Sequence, residues 1–158
     1  MIMAIDATCD GGTGVSGHQD GSVRFWDLRT GEKVHQLSDL HAAAVTCVAF
    51  SPKGEFQLLT SSRDNTLKLI DTRTFETIHT FMQSGFRVSA NYSRVCFSPD
   101  GSMIAAGSAG GEVVIWDIIG GDVVSMLQQH QDPVVACCWS AKKHLISADK
   151  NGIVVVWG

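Results

Sequence analysis

The stretch GTGVSGHQDGSVRFWD, residues 12–27, admits two incompatible readings. Its first six residues, Gly12-Thr13-Gly14-Val15-Ser16-Gly17, satisfy the G-x-G-x-x-G pattern of a dinucleotide-binding turn. That turn works only where a strand runs into a helix, because the helix N-terminus holds the pyrophosphate. Here the glycines lead instead into Val23-Arg24-Phe25-Trp26-Asp27, a period-two alternation that reads as a second strand. Gly12 and Gly14 therefore flank a strand-to-strand turn, and Gly17 is expected to pack inside a sheet.

The anchor Trp26-Asp27 returns along the chain. Ile70-Asp71 lies 44 residues on, Trp116-Asp117 another 46, and Trp157 another 41. The residues leading to these anchors, VRFWD, LKLID, VVIWD and VVVWG, alternate in the same way. A second series, FSPKG (50–54), FSPDG (97–101) and WSAKK (139–143), ends strands in turns whose Pro and Gly fix the geometry in the first two cases. A third, DLRTGE, DTRTFE and DIIGGD, marks a hairpin after each Trp-Asp strand. No segment shows helical periodicity.

Units of four short strands, repeating every 40–45 residues or so, indicate a β-propeller. On these residues the whole chain resembles the WD-repeat family. The expected strands, a to d from the inside outward, are Met3–Thr8, Thr13–His18, Ser22–Asp27 and Lys33–Leu37 in the first unit. The second unit takes Val45–Phe50, Phe56–Ser62, Thr66–Asp71 and Glu76–Met82. The third takes Tyr92–Phe97, Ser102–Ser108, Glu112–Asp117 and Asp122–Leu127. The fourth takes Val134–Trp139, His144–Ala148 and Gly152–Trp157, with no strand d. The blades are thus expected over about residues 1–38, 39–83, 84–128 and 129–158 of one propeller segment.

Composition excludes several function classes. Twelve basic and 16 acidic residues give a net charge of −4, with no Lys/Arg run to bind nucleic acid through phosphates. The longest apolar runs fall far short of the roughly 20 residues that span a bilayer, so no direct membrane insertion is expected. The N-terminus lacks the basic and apolar regions of a secretory signal. Five cysteines, Cys9, Cys47, Cys96, Cys137 and Cys138, show no C-x-x-C spacing and read as reduced thiols, largely in the core. Of the vicinal pair Cys137-Cys138, one thiol is expected in the core and the other facing a neighbouring blade. Asn91-Tyr92-Ser93 matches a glycosylation acceptor by chance.

The resemblance also implies a hydrogen-bond network in each blade, joining a His before strand a, a Ser or Thr on strand b, an Asp in the b–c turn and the Trp of strand c. Such a network satisfies buried polar groups and fixes one blade geometry. By position, the first unit offers Ser16, Asp20 and Trp26, with its His not recognisable. The second offers His41, Thr60 and Asp64, with Ile70 for Trp. The third keeps only Trp116, since Ala106 and Gly110 hold the Ser and Asp positions. The fourth offers His130, Ser147 and Trp157, with Asn151 for Asp. His18 lies too close to Trp26 to be the network His and reads as a strand-end or surface histidine. The third unit and the chain ends are expected to be the least well specified. No G-x-S-x-G elbow accompanies His41 or Asp64, and His130 with the cysteines lacks metal-ligand spacing. No catalytic residue, cofactor or metal is therefore expected.

A propeller without an active site serves as a platform for other proteins or peptides. Its candidate contacts lie in the d–a and b–c loops: Gln19, Arg63, Lys150, and Phe86 and Arg87 in the inserted segment QSGFRVSAN (83–91). Aromatics and Arg are favoured hot-spot types, although Phe86 can equally tuck onto the blade. SGHQDGSVRFWDLR, the Ile-Asp unit TSSRDNTLKLIDTRT, and GFRV before SRVCFSPDGSMIAAGSAGGEVVIWD are similar to the C-terminal half of the propeller of the autophagy-related protein sixteen (Atg16-like) family. That resemblance implies a non-enzymatic scaffold for autophagosome assembly, cytoplasmic and recruited to autophagosomal membranes, with autophagy machinery as partners. The family's N-terminal segment and coiled coil are not in this sequence, which leaves the adaptor-binding propeller half. The alternative is a generic WD-repeat adaptor, such as a substrate receptor for ubiquitin ligation. The resembled propeller has about seven blades. The chain is therefore expected to be an open arc, part of a larger ring, with strand edges that invite self-association.

Overall fold

The computed structural model describes residues 1–53 and 56–158. Gly54, the turn glycine of the first Phe-Ser-Pro stretch, lies outside the described residues. Four antiparallel sheets follow one another along the chain. Blade one holds β1 (Ile2–Ala7), β2 (Thr13–His18), β3 (Val23–Asp27) and β4 (Lys33–Leu37). Blade two holds β5 (Val45–Phe50), β6 (Gln57–Ser62), β7 (Leu67–Asp71) and β8 (Thr77–Phe81). Blade three holds β9 (Val95–Phe97), β10 (Met103–Gly107), β11 (Glu112–Asp117) and β12 (Val123–Gln128). Blade four holds β13 (Val134–Trp139), β14 (Leu145–Asp149) and β15 (Val154–Trp157), and β15 is its outer edge. Every described strand pairs with its chain neighbour, the meander of a propeller blade.

Strand β9 is shorter than the expected Tyr92–Phe97. Ser93 folds the chain back, its N–H donating to Ala90 O at 3.1 Å while its Oγ accepts from Ala90 N at 3.0 Å. Arg94 N donates across to Val135 of blade four instead of along its own sheet.

The aspartate of each Trp-Asp or Ile-Asp pair builds the hairpin that follows. Asp27 accepts from Arg29 N at 2.7 Å, Asp71 from Arg73 N at 2.8 Å, and Asp117 from Gly120 N at 2.6 Å. Each turn closes through a residue at positive φ: Gly31 at 75°, Phe75 at 61° and Gly121 at 75°. Only glycine reaches this region without cost. Phe75 is held there by its ring, which stacks on His35 at 3.8 Å and meets Phe25 edge-on at 5.0 Å.

Alternation along each strand gives every blade two apolar faces, and successive blades pack face to face. Three clusters fill the gaps. Val15, Phe25, Val48, Leu58 and Ile70 lie between blades one and two. Leu59, Leu69, Phe81, Ile104 and Trp116 lie between blades two and three. Ala105, Val113, Ile115, Cys137 and Leu145 lie between blades three and four. Gly17 and Gly107 permit the approach: a Cβ on Gly17 would stand 2.5 Å from Val45 Cγ1, and one on Gly107 would stand 2.3 Å from Val134 Cγ1.

The Trp position of β3, β7, β11 and β15 points toward the preceding blade. Ile70 faces blade one, Trp116 faces blade two, and Trp157 faces blade three. Trp26 holds the same register and looks out on a free sheet face.

Candidate interaction face and histidine networks

Loops and turns at one end of the strands form a continuous hydrogen-bonded frame. A residue one or two positions after each strand b donates to the chain leading into strand a of its own blade: Gln19 N to Met1 O at 2.9 Å, Arg63 N to Ala44 O at 2.9 Å, Ala109 N to Arg87 O at 2.8 Å and Lys150 N to Pro133 O at 2.9 Å. Bonds between blades lock the frame sideways: His41 N to Gly21 O at 3.2 Å, Val88 N to Asn65 Oδ1 at 3.0 Å and Val134 N to Ser108 O at 3.0 Å. Backbone groups are thereby consumed, and side chains are what the face offers to solvent.

Gln19, Arg63, Arg87 and Lys150 are all exposed on this frame. Arg63 donates one guanidinium hydrogen from Nη1 to Val88 O, which holds the fork in place and leaves its other donors free. Phe86 is different. It is 5% exposed and meets the Trp116 ring edge-on at 5.3 Å and 90°. It is core, and the reading of Phe86 as a partner contact is corrected. The exposed aromatic here is Tyr92, which directly follows the inserted segment and is 60% exposed. The sequence offered no sign of this exchange beyond the Asn91-Tyr92-Ser93 triplet, whose serine is taken up in the turn.

Beneath the frame lie the histidines. In blade two, His41 Nδ1 stands 2.9 Å from Asp64 Oδ2 and Nε2 stands 2.9 Å from Thr60 Oγ1. A carboxylate only accepts, so Nδ1 carries the hydrogen and Nε2 accepts from the threonine. Burial holds the His41 pKa below its ordinary value against the opposing pull of Asp64, so the ring is neutral at neutral pH. Burial pushes Asp64 up but is outweighed by hydrogen bonds from Thr66 and His41, and its pKa is lowered. With Ile70 in the Trp position, the Thr60 hydroxyl lies 3.3 Å from Lys68 O.

Blade four repeats the motif with a change of partner. His130 Nδ1 meets Asp149 Oδ2 at 2.8 Å, and Nε2 meets Ser147 Oγ at 2.8 Å. Trp157 Nε1 donates to the same Ser147 Oγ at 2.9 Å. The carboxylate is Asp149, not Asn151. Asp149 ends β14, two residues earlier, and Asn151 only donates its backbone N–H to it at 3.0 Å. Aligning turns by sequence selects Asn151, because the side chain that reaches the ring starts from a different backbone position.

Blade one solves the same problem with its own strand. His18 is 5% exposed, and its Nε2 lies 2.9 Å from Ser16 Oγ, which accepts from Trp26 Nε1 at 2.8 Å. His18 does end β2, but it is buried, so its reading as a surface residue is corrected: it fills the ring position from two residues along the strand. Asp20 does not join it. Its carboxylate accepts from Ser22 N at 3.0 Å and Ser22 Oγ at 2.6 Å, holding the b–c turn. In blade three Trp116 Nε1 is buried without a partner among the described residues, opposite the apolar Ala106.

Asp149, His130 and Ser147 carry the atom types of a hydrolytic triad. Ser147, however, is 1% exposed and already accepts from an indole, so its oxygen meets no substrate. Cys137 is equally withdrawn from chemistry, for burial pushes its thiol up to about 12. Cys137 is buried and Cys138 exposed. Among the described residues no group of His, Cys, Asp and Glu is arranged to hold a metal ion. No helix among them is long and apolar enough to cross a membrane.

The family model described as "WD domain, G-beta repeat" matches residues 31–71, 76–117 and 121–158. Autophagy-related protein 16 of Arabidopsis thaliana is 45% identical over 155 residues, which cover 98% of this chain and 30% of that protein. Protein tipD of Dictyostelium discoideum is 44% identical over 154 residues, covering 93% of this chain and 25% of its own length. The chain thus spans under a third of the curated relatives it matches. The crystal structure of the computationally designed Ika4 protein superposes with a TM-score of 0.84 at 25% identity, over 99% of this chain and 90% of that one.

Proposed function

Because the chain belongs to the WD-repeat family, we propose that it is a non-enzymatic interaction scaffold, the propeller portion of an autophagosome-assembly factor of the autophagy-related protein 16 kind. One observation carries this: identity of 45% over 155 residues, 98% of this chain, to a protein named for autophagy. The geometry supports the scaffold half of the reading. Histidine, serine and carboxylate side chains are spent on holding blades, and exposed Arg63, Arg87, Tyr92 and Lys150 stand on a rigid frame. Exposed cations and an exposed aromatic suit a protein or peptide segment that pairs carboxylates with an apolar side chain. Such a factor works in the cytoplasm and reaches autophagosomal membranes through its partners.

The test is a chimera. The matching region of the Arabidopsis protein is replaced by this chain in cells lacking the endogenous protein, and autophagosomes are counted. Restored formation supports the reading. A chimera that is folded and abundant but inactive overturns the autophagy assignment in favour of a generic adaptor.

A further inference from the structure

Blade three packs between blades two and four, and its outer strand β12 is the edge of its sheet on the rim of the molecule. An edge strand presents unpaired backbone N–H and C=O groups, and charged side chains or Pro usually guard it against a further strand. β12 has no such guard: Val123 to Gln131 holds no Asp, Glu, Lys, Arg or Pro. Its side chains alternate, half-buried at Val123, Ser125 and Leu127 and exposed at Val124, Met126 and Gln128. In register, Val124 corresponds to Val34 of β4 and Ile78 of β8, and Met126 to Gln36 and Thr80. Of these three edges only that of blade three sets two apolar side chains at the pair, 56% and 48% exposed, and that of blade one also carries Lys33. Ile119, 84% exposed, stands in the turn before β12, where its carbonyl accepts from His79 Nε2 of blade two at 3.0 Å.

The charge around this edge has one sign. Between Arg94 and Lys142 the chain holds five acidic residues, Asp100, Glu112, Asp117, Asp122 and Asp132, and no Lys or Arg. Asp100 is paired with Lys143 at 3.3 Å. Asp122 is exposed immediately before β12, and Glu112 lies opposite Gln128 on β11, so an acidic residue stands at either end of the edge. We propose that the outer edge of blade three accepts, as an added strand, an extended segment of a partner protein that is apolar at alternate positions and basic at its ends. Main-chain hydrogen bonds to the edge hold the segment, its apolar side chains meet Val124 and Met126, and its basic ends meet Asp122 and Glu112. A second copy of this chain fits less well. Pairing β12 antiparallel with itself about Ser125 sets Asp122 of each copy against Gln128 of the other, at the end where Glu112 stands, and like charges approach. This surface lies on the rim, apart from the frame that carries Arg63 and Lys150, and does not depend on the autophagy assignment.

The probe is the synthetic peptide KTVTVTVK, titrated onto the full chain and followed by amide hydrogen exchange. Slowed exchange confined to β12 is expected. The acid-ended peptide ETVTVTVE is expected to bind about ten-fold more weakly, and Asp122→Lys to narrow that difference. A KTVTVTVK peptide N-methylated at alternate residues is expected not to bind, because it cannot complete the main-chain ladder. Met126→Lys, an exposed change that leaves the fold intact, is expected to weaken KTVTVTVK about ten-fold. Exchange at β12 that the peptide leaves unchanged overturns the proposal, and so does equal affinity for the two peptide charges. Undiminished binding of the N-methylated peptide also overturns it, since contact is then through side chains alone. Protection of β12 that rises with chain concentration in the absence of peptide overturns it in favour of a second copy.

Discussion

Trp157 donates its indole hydrogen to Ser147 at 2.9 Å, and Trp26 does the same to Ser16 at 2.8 Å. Trp116 occupies the same register against Ala106, fully buried, with no acceptor among the described residues. An unmade bond at a buried donor costs about 1–3 kcal/mol. Ala106→Ser restores the acceptor and, with no histidine in blade three to take it, leaves its hydroxyl hydrogen for Val114 O, at the place where Lys68 O lies 3.3 Å from Thr60 Oγ1 in blade two. The variant is expected to be more stable by about 1 kcal/mol in urea unfolding. A loss of stability would mean that the site has no room for the oxygen.

Ser147 joins an indole and an imidazole, so Ser147→Ala leaves two buried groups unpaired. A loss of about 1–3 kcal/mol is expected. In the same blade Asp149→Ala is expected to lower the melting temperature more than Asn151→Ala, because Asp149 accepts from His130 and from the N–H groups of Asn151 and Ile153. Equal effects would restore Asn151 to the network.

Phe86 and Tyr92 should separate stability from binding. Phe86→Ala removes a ring wedged on Trp116 and is expected to cost about 3–5 kcal/mol. Tyr92→Ala, on an exposed turn, is expected to change stability by no more than about 0.5 kcal/mol while weakening capture of a propeller-binding peptide. Calorimetry on both variants distinguishes the roles.

Acid should loosen the molecule in two steps. The folded pKa values of His18 and His41 lie below their ordinary value, chiefly through burial, so the unfolded chain takes up those protons first. Their contribution is complete above the unfolded pKa of about 6.5 and is lost as pH falls from there toward the folded values. Asp64, Asp71 and Asp100 have lowered pKa values, so their contribution holds above the unfolded carboxylate value and disappears below it. Melting temperature is expected to fall between about pH 7 and 5, and the gap between the wild type and His41→Gln to narrow over that window. A constant gap would show that His41 does not titrate with folding.

Repetition made the fold readable in the sequence. The spacing of Trp26, Ile70, Trp116 and Trp157, with alternation before each, fixes strand, turn and blade, because period-two burial and turn chemistry act over a few residues. Side-chain partnership acts across the blade. Whether His18 could replace a missing histidine, whether Asp149 or Asn151 reaches His130, and whether Phe86 or Tyr92 faces water all depend on where β2, β14 and the segment before β9 stand in three dimensions. A ring or carboxylate displaced by two residues meets the same partner when the backbone turns to suit. Local pattern thus determined which residues form sheets, and only the packed structure decided which of their polar groups meet.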